Sequence, residues 1–155
     1  MKTILLSTDF SKASYFAINC VAKIAKVTNS RLVLFNVCDE LATEHNIEKN
    51  CQENLEKIVE RLSKKHGKML KIDYKCSCIT NQEQIQHFAQ QNNIDIIIKG
   101  APDIGFISAQ VIDHISASIT KYAPCPVLSF DVNIILRAVK NLMSDDDYHQ
   151  MYLIL

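Results

Sequence analysis

Short apolar runs alternate along the chain with longer stretches whose apolar residues recur at helical spacing. Five of these runs predict strands, at residues 3–6, 31–37, 71–79, 94–98 and 127–130. The second run is apolar on both faces, as parallel strands covered by helices are, and the fourth is expected at the centre of a sheet. The third run alternates polar and apolar residues, which indicates a position nearer a sheet edge.

Helices are predicted in the four intervals between the strands, at about residues 12–28, 42–66, 82–91 and 107–121. Cap and turn residues mark their expected ends: residues 9–11, residues 29–30, Gly67, Asn81 and residues 92–93. One face of the first helix is expected to be buried through Phe16, Ala17, Cys20, Val21, Ile24 and Ala25. The matching face of the second helix consists of Ile47, Cys51, Leu55, Ile58, Val59 and Leu62.

This alternation predicts a five-stranded parallel sheet with helices on both faces and right-handed crossovers, a doubly wound three-layer α/β sandwich. Ligands of such folds bind beyond the carboxyl ends of the strands, where the strand order reverses. The loops at residues 7–9, 37–39 and 100–105 are therefore the expected binding loops.

The balance of charges narrows the classes of function. The 155 residues fit one domain, and 17 Lys and Arg residues are matched by 17 Asp and Glu residues, so the formal net charge is zero. This balance argues against a nucleic-acid-binding module, whose affinity comes largely from basic residues on phosphates. No apolar run approaches the ~20 residues that a membrane helix needs, so no membrane association is expected.

Six cysteines invite a disulfide or metal interpretation: Cys20, Cys38, Cys51, Cys76, Cys78 and Cys125. The amino terminus reaches Asp9 before a hydrophobic signal segment could form, so we expect a cytoplasmic protein whose thiols stay reduced. Cys76 and Cys78 lack the second pair or the Cys-x-x-Cys spacing of a metal or redox site. We interpret both as core or half-exposed thiols.

Two segments of the chain resemble universal stress proteins. Residues 4–11, Ile-Leu-Leu-Ser-Thr-Asp-Phe-Ser, are similar to the first strand and loop of that family. Residues 95–100, Asp-Ile-Ile-Ile-Lys-Gly, are followed at the family's spacing by Tyr-Ala-Pro-Cys-Pro-Val-Leu at residues 122–128. The resemblance covers residues 1–132, and it implies a Rossmann-like domain of the adenine nucleotide alpha hydrolase-like kind. Residues 133–155 lie beyond it and are predicted to form a C-terminal helical extension.

Members of this family that bind ATP carry the motif G-x2-G-x9-G-[S/T] after the fourth strand. Glycines there let backbone N–H groups approach phosphates, and the last pair lies at a helix N-terminus that favours anions. In this chain Gly100 matches the first position, whereas Asp103 and Asp113 replace the other two glycines and His114 replaces the hydroxyl residue. Each aspartate adds bulk and negative charge, so we predict weak ATP binding. For His114, a surface or capping role is favoured over acid–base chemistry.

Other positions match nucleotide contacts that the resemblance implies. Asp9 corresponds to the acid that hydrogen-bonds the adenosine moiety, and Val37 to a residue beside the base. With Thr8 and Gly100 they make up the candidate cofactor-binding cleft. A helix N-cap is the alternative role for Asp9, and a plain core position is the alternative for Val37. No bound cofactor is expected, with ATP or AMP as the open alternative; no metal ligand or catalytic residue is assigned.

The first functional hypothesis is a non-enzymatic stress-response protein that acts as a homodimer and is recognised by an unknown protein partner. The family commonly dimerises through its last strand, and Val127–Phe130 could pair by strand addition, with residues 133–155 locking the dimer. The alternative is an adenine-nucleotide-binding switch that uses the degenerate phosphate loop. A hydrolase or redox enzyme has no supporting group of residues and ranks third.

Overall fold

The computed structural model describes residues 1–38, 47–78, 83–100 and 123–130. The strands in this part of the chain are β1 (Thr3–Ser7), β2 (Arg31–Cys38), β3 (Lys71–Cys78), β4 (Ile96–Gly100) and β5 (Val127–Phe130). The helices are α1 (Lys12–Val27), α2 (Ile47–His66) and α3 (Glu83–Gln91), and a short 3-10 helix spans Gly67–Met69. Within these ranges, none of the helices combines the length and the apolar composition of a membrane span.

All five strands pair in parallel in the order β3-β2-β1-β4-β5. In the centre of the sheet Leu5 of β1 lies opposite Val33 of β2 on one side and Ile97 of β4 on the other. The chain builds outward from β1 to β3 and then returns to the other side of β1 with β4. The strand order therefore reverses beside β1, and the predicted five-stranded parallel sheet is confirmed.

Successive residues of β1 face opposite sides of the sheet and enter two separate cores, as the pleat of a strand requires. Leu6 packs with Ile18 of α1 and Leu55 of α2, all fully buried. Leu5 belongs to a second buried cluster with Val33 and Ala89, the latter from α3. Helices thus cover both faces, which confirms the doubly wound arrangement.

Residues with left-handed backbone geometry end three helices where the sequence predicts an end. Asn29 follows α1 with a φ of 50°, Gly67 follows α2 with a φ of 69°, and Asn93 follows α3 with a φ of 49°. Gly and Asn adopt this conformation at lower steric cost than other residues, and it reverses the chain after the last helical turn. The start of α1 is fixed by Ser11, whose side chain accepts a hydrogen bond from the Ser14 N–H at 3.1 Å.

Strand β4 begins two residues later than predicted. Ile94 is buried, but its N–H donates to the carbonyl of Ala89 at 3.0 Å and so completes the end of α3. The N–H of Asp95 donates to the carbonyl of Thr3 at 2.9 Å, immediately before the regular pairing with β1 starts. The apolar run at residues 94–98 therefore combines a helix end and a strand start, which hydrophobicity alone does not separate.

The buried face of α1 is also rotated from the predicted one. Ile24 was expected in the core, yet 48% of its surface is exposed, and Cys20 is only half-buried. Ile18 and Ala22 are fully buried instead. The helix is apolar over more than one stripe, so its spacing predicts a helix but leaves the orientation to packing against β1, β2 and β4.

Candidate functional site

Three of the four predicted site residues lie at the carboxyl ends of neighbouring strands. Thr8 directly follows β1, Val37 is near the end of β2, and Gly100 ends β4. The Thr8 N–H donates to the carbonyl of Phe35 at 2.9 Å, which extends the β1–β2 pairing by one residue. On the other side of β1, Ser7 is in register with Lys99. The three positions therefore meet at the switch point, where open parallel sheets bind ligands.

Asp9 is held in a closed pair with Ser14. The Asp9 N–H donates to Ser14 Oγ at 3.3 Å, while the Ser14 hydroxyl donates back to Asp9 Oδ1. The Ser11 N–H donates to the same carboxylate oxygen at 3.0 Å. Since Ser11 caps the helix, the alternative role of Asp9 as the N-cap is wrong. Asp9 instead stabilises the loop that precedes the cap; the residue is exposed to solvent, although its hydrogen-bonded carboxylate is partly buried.

The hydrogen bonds around Asp9 also set its charge. Partial burial by itself raises the pKa of the carboxyl, but the hydrogen bonds from Ser14 and Ser11 and from backbone N–H groups outweigh that effect. The pKa of Asp9 is therefore lowered, because donors to a carboxylate stabilise its charged form. At neutral pH Asp9 presents an acceptor-only group at the mouth of the site.

Phe10 carries the backbone strain of this loop. Its φ of 62° is in the left-handed region, which is unusual for a bulky residue and costs on the order of 1–2 kcal/mol. Its N–H donates to Thr8 Oγ1 at 3.2 Å, and its half-buried ring packs against the core formed with α1 and α2. These contacts hold the turn in one conformation between Thr8 and Ser11.

Asn36 fixes the same loop from the neighbouring strand. It is buried in β2, and its Nδ2 donates to the carbonyl of Thr8 at 2.6 Å. The Sγ atom of Cys51 in α2 lies 3.1 Å from Asn36 Oδ1. Asn36 was not among the predicted site residues, although a single amide inside the apolar run of β2 was an available signal, because a buried polar side chain needs partners.

Cys51 and Cys76 form a disulfide between α2 and β3, with Cα atoms 6.3 Å apart. The expectation that the thiols stay reduced, and that Cys76 is a core thiol, is therefore wrong for this pair. The two residues are separated by 25 positions, and only the packing of α2 on β3 brings them together. Cys20 and Cys125 are both half-buried and are free thiols.

Several predicted features lie outside the described residues. They are Asp103, Asp113, His114 and residues 133–155. Within the described ranges, His, Cys, Asp and Glu residues form no group of three or more that could hold a metal ion. The site that the structure describes is therefore the β1 loop, the ends of β2 and β4, and the residues that support them.

The chain was compared with protein families and with known proteins. A family model described as the universal stress protein family matches residues 1–130. Universal stress protein Sll1654 from Synechocystis sp. (strain ATCC 27184 / PCC 6803 / Kazusa) is 24% identical over 131 residues, which cover 82% of this chain and 83% of that protein.

Solved structures share the fold at low sequence identity. A universal stress protein in complex with cAMP superposes with a TM-score of 0.63 at 15% identity, covering 84% of this chain and 96% of the other. The universal stress protein from Archaeoglobus fulgidus in complex with dAMP gives a TM-score of 0.63 at 14% identity, covering 83% and 97%. With the family model matched over residues 1–130, this chain belongs to the universal stress protein family.

Proposed function

We propose that this chain is a non-enzymatic regulatory protein of the stress response, cytoplasmic and homodimeric, with a cleft that accepts adenosine but disfavours ATP. The observation that carries this proposal is the replacement of two phosphate-loop glycines by Asp103 and Asp113. Both residues follow Gly100 in sequence, and Gly100 ends β4 beside the end of β1, where a nucleotide of this fold would place its phosphates.

The adenosine half of the cleft is supported by the described residues. Asp9 is a carboxylate at neutral pH, and the hydrogen bonds from the Ser14 hydroxyl and the Ser11 N–H fall on Oδ1. Its Oδ2 is therefore the oxygen that a ribose hydroxyl would approach as a donor. Thr8 and Val37 lie beside the same switch point, one directly after β1 and the other near the end of β2.

Asp103 and Asp113 bring negative charge to the phosphate half of the proposed cleft, and this charge repels ATP. A carboxylate and a phosphate charge at ~5 Å repel by roughly 3 kcal/mol at an effective dielectric near 20, before salt screening. Each aspartate is therefore expected to lower the affinity for a triphosphate by about a hundredfold. An aspartate also has a side chain where glycine has none, and a phosphate approaches the backbone most closely at glycine.

An adenine-nucleotide-binding switch is the second candidate. The two structural relatives described above were solved with cAMP and with dAMP, and each of these ligands carries a single phosphate. A nucleoside monophosphate brings less negative charge toward residues 103 and 113 than ATP does. AMP is therefore the nucleotide that this alternative assigns to the cleft.

A hydrolytic role is disfavoured by the chemistry of Asp9 and Ser14. The Ser14 hydroxyl is hydrogen-bonded to a carboxylate whose pKa is lowered, and such a carboxylate is a weak general base. Activation of a serine nucleophile requires a base that accepts its proton near neutral pH. The pair is better suited to stabilising the loop than to attacking a substrate.

The proposed homodimer forms through β5. This strand pairs with β4 on one side and ends the described sheet on the other. Leu128 is 53% exposed there, on a short strand whose free edge could add a strand from a second copy. Residues 133–155 come after β5 in the sequence and are proposed to strengthen the same contact.

Isothermal titration calorimetry on the full chain tests the nucleotide part of the proposal. Adenosine and AMP should bind at least about tenfold more tightly than ATP in the presence of magnesium, because only ATP brings a triphosphate to the acidic loop. If AMP binds and adenosine does not, the result would favour the nucleotide-binding switch over the non-enzymatic regulatory protein. ATP binding as tight as AMP binding would overturn the proposal.

A further inference from the structure

The cysteine pair between α2 and β3 has the geometry of a site that can exist in two redox states. The Cα atoms of Cys51 and Cys76 are 6.3 Å apart, within the range of about 4.4–6.8 Å that disulfides span without backbone movement. Both residues are nearly buried, with 5% and 8% of their surfaces exposed. The packing of α2 on β3 thus already holds the two sulfur atoms in place for a bond.

The Cys51 sulfur, while bonded to Cys76, also lies beside a side-chain hydrogen-bond acceptor. It lies 3.1 Å from Asn36 Oδ1, a distance at which a thiol donates a hydrogen bond. A disulfide sulfur has no hydrogen to donate, so oxidation to the cystine removes this interaction. One sulfur atom therefore either bonds to Cys76 or donates to Asn36.

Asn36 connects this chemistry to the candidate site. Its Nδ2 donates to the Thr8 carbonyl at 2.6 Å, and Thr8 in turn binds the strained turn at Phe10 through its hydroxyl. We propose that Cys51 and Cys76 are a reversible dithiol–disulfide site, oxidised by hydroperoxides, whose state reaches the loop at residues 8–10 through Asn36. The assumption of a reducing compartment and the interpretation of that loop as an adenosine subsite both rest on the proposed function, whereas the pairing of the two cysteines does not.

The oxidation step balances with hydrogen peroxide as the oxidant. One thiolate attacks a peroxide oxygen, the O–O bond breaks, and a sulfenic acid forms as the released hydroxide takes a proton to leave as water. The second thiolate then attacks the sulfenic sulfur, so the S–S bond forms, the S–O bond breaks, and the released hydroxide takes a proton and leaves as a second water. Two thiols lose two electrons and the peroxide gains them; a small dithiol reverses the change by thiol–disulfide exchange.

A reversible role fits the chain better than a permanent structural cross-link. A domain of this size buries enough surface to fold without disulfides, and disulfides in reducing compartments are usually transient or redox-sensing. In the part of the chain that the structure describes, Cys20 in α1 and Cys125 before β5 are free thiols, so neither is held beside a partner as Cys51 and Cys76 are.

The first test is chemical. The full chain is reduced with a dithiol, desalted, exposed to hydrogen peroxide and analysed by mass spectrometry after alkylation of the remaining thiols. We expect a cross-linked peptide pair containing Cys51 and Cys76, reversed by dithiol, and a thermal midpoint raised by about 10 °C. Cys51→Ser and Cys76→Ser should lose the cross-link, while Cys20→Ser and Cys125→Ser keep it. Peroxide that leaves both thiols alkylatable overturns the site.

The second test follows the connection to the loop without any nucleotide. Hydrogen exchange of the Thr8 and Phe10 amides is compared between the reduced and oxidised wild type, so the comparison does not depend on a variant that folds. Loss of the thiol hydrogen bond to Asn36 should speed exchange about fivefold on oxidation. Cys51→Ser should show no response to peroxide. Formation of the cross-link with unchanged exchange at both amides overturns the connection, and neither result depends on nucleotide affinity.

Discussion

Asp9 shows how a single residue can be prepared for a ligand by its neighbours. Its carboxylate accepts hydrogen bonds from the Ser14 hydroxyl and the Ser11 N–H, and its own N–H donates to Ser14 Oγ. A group held from both sides loses little further freedom when a ligand binds. The pair also keeps the carboxyl ionised well below neutral pH.

Replacing Ser14 by alanine tests this local arrangement. Ser14→Ala removes the side-chain donor, so the pKa of Asp9 should rise toward its ordinary value, because partial burial then opposes fewer hydrogen bonds. Carbon-detected NMR titration of the Asp9 carboxyl measures the shift. The lowered pKa of Asp95, which depends on Lys2, should stay the same in the variant and serves as the control.

The same lowered pKa makes stability depend on acid. A carboxyl whose pKa is lower in the folded than in the unfolded state stabilises the fold fully above the unfolded pKa of ~3.9, and this stabilisation is lost as pH falls through the folded pKa. The free energy of unfolding of the wild type should therefore fall more steeply below pH ~4 than that of Ser14→Ala. Urea denaturation at several acidic pH values measures the difference, and equal slopes would contradict the role given to Ser14.

Asn36 is the residue whose loss should most disturb the loop. Asn36→Ala removes the donor to the Thr8 carbonyl inside the protein, which costs about 1–3 kcal/mol because a buried carbonyl loses its partner. Urea denaturation measures the change. Asn54→Ala, at an exposed position of α2, is the matched control and should stay within about 0.5 kcal/mol. Equal effects of the two substitutions would contradict a stabilising role for the hydrogen bond from Asn36 to Thr8.

At the element scale, α1 offers a pair of identical residues in opposite environments. Val21 is fully buried, whereas Val27 is 86% exposed at the end of the helix. Val21→Ala should lower the free energy of unfolding by about 2–3 kcal/mol through lost burial and a residual cavity. Val27→Ala should change it by no more than about 0.5 kcal/mol. Similar losses at both positions would contradict the orientation of α1.

The pattern of apolar residues predicted the elements well and their details less well. Strands β1, β2, β3 and β5 occur where apolar runs predict them, because a buried strand must be apolar on the faces it covers. The start of β4 was misplaced, since Ile94 is equally apolar whether it ends a helix or starts a strand. Ile24 was placed in the core because spacing defines a stripe on a helix but not which neighbour covers it.

The same limit separates predicted from unpredicted site residues. Thr8, Val37 and Gly100 could be placed together because the carboxyl ends of parallel strands share one edge. The contacts of Asn36 and the Cys51–Cys76 bond join residues far apart in sequence, so only the packing of α2 against β2 and β3 reveals them. Spacing motifs identify sites formed by neighbours along the chain and miss those assembled by the fold.

At the scale of the whole molecule, the proposed dimer depends on the free edge of β5. Leu128→Lys places a charge on that edge, and charged side chains on edge strands oppose pairing. Analytical ultracentrifugation at micromolar concentration should find the wild type dimeric and this variant monomeric. Met69→Lys, at another exposed apolar residue, should leave the dimer intact. A dimer that survives Leu128→Lys would place the contact elsewhere.

The most direct measurement of the central claim compares ATP and adenosine binding by calorimetry in the wild type and in the double variant Asp103→Gly/Asp113→Gly. Removing both carboxylates should raise ATP affinity at least about tenfold, even after salt screening, and leave adenosine affinity unchanged. ATP affinity that is already high in the wild type, or that fails to rise in the variant, would contradict the claim that these two aspartates close the cleft to a triphosphate.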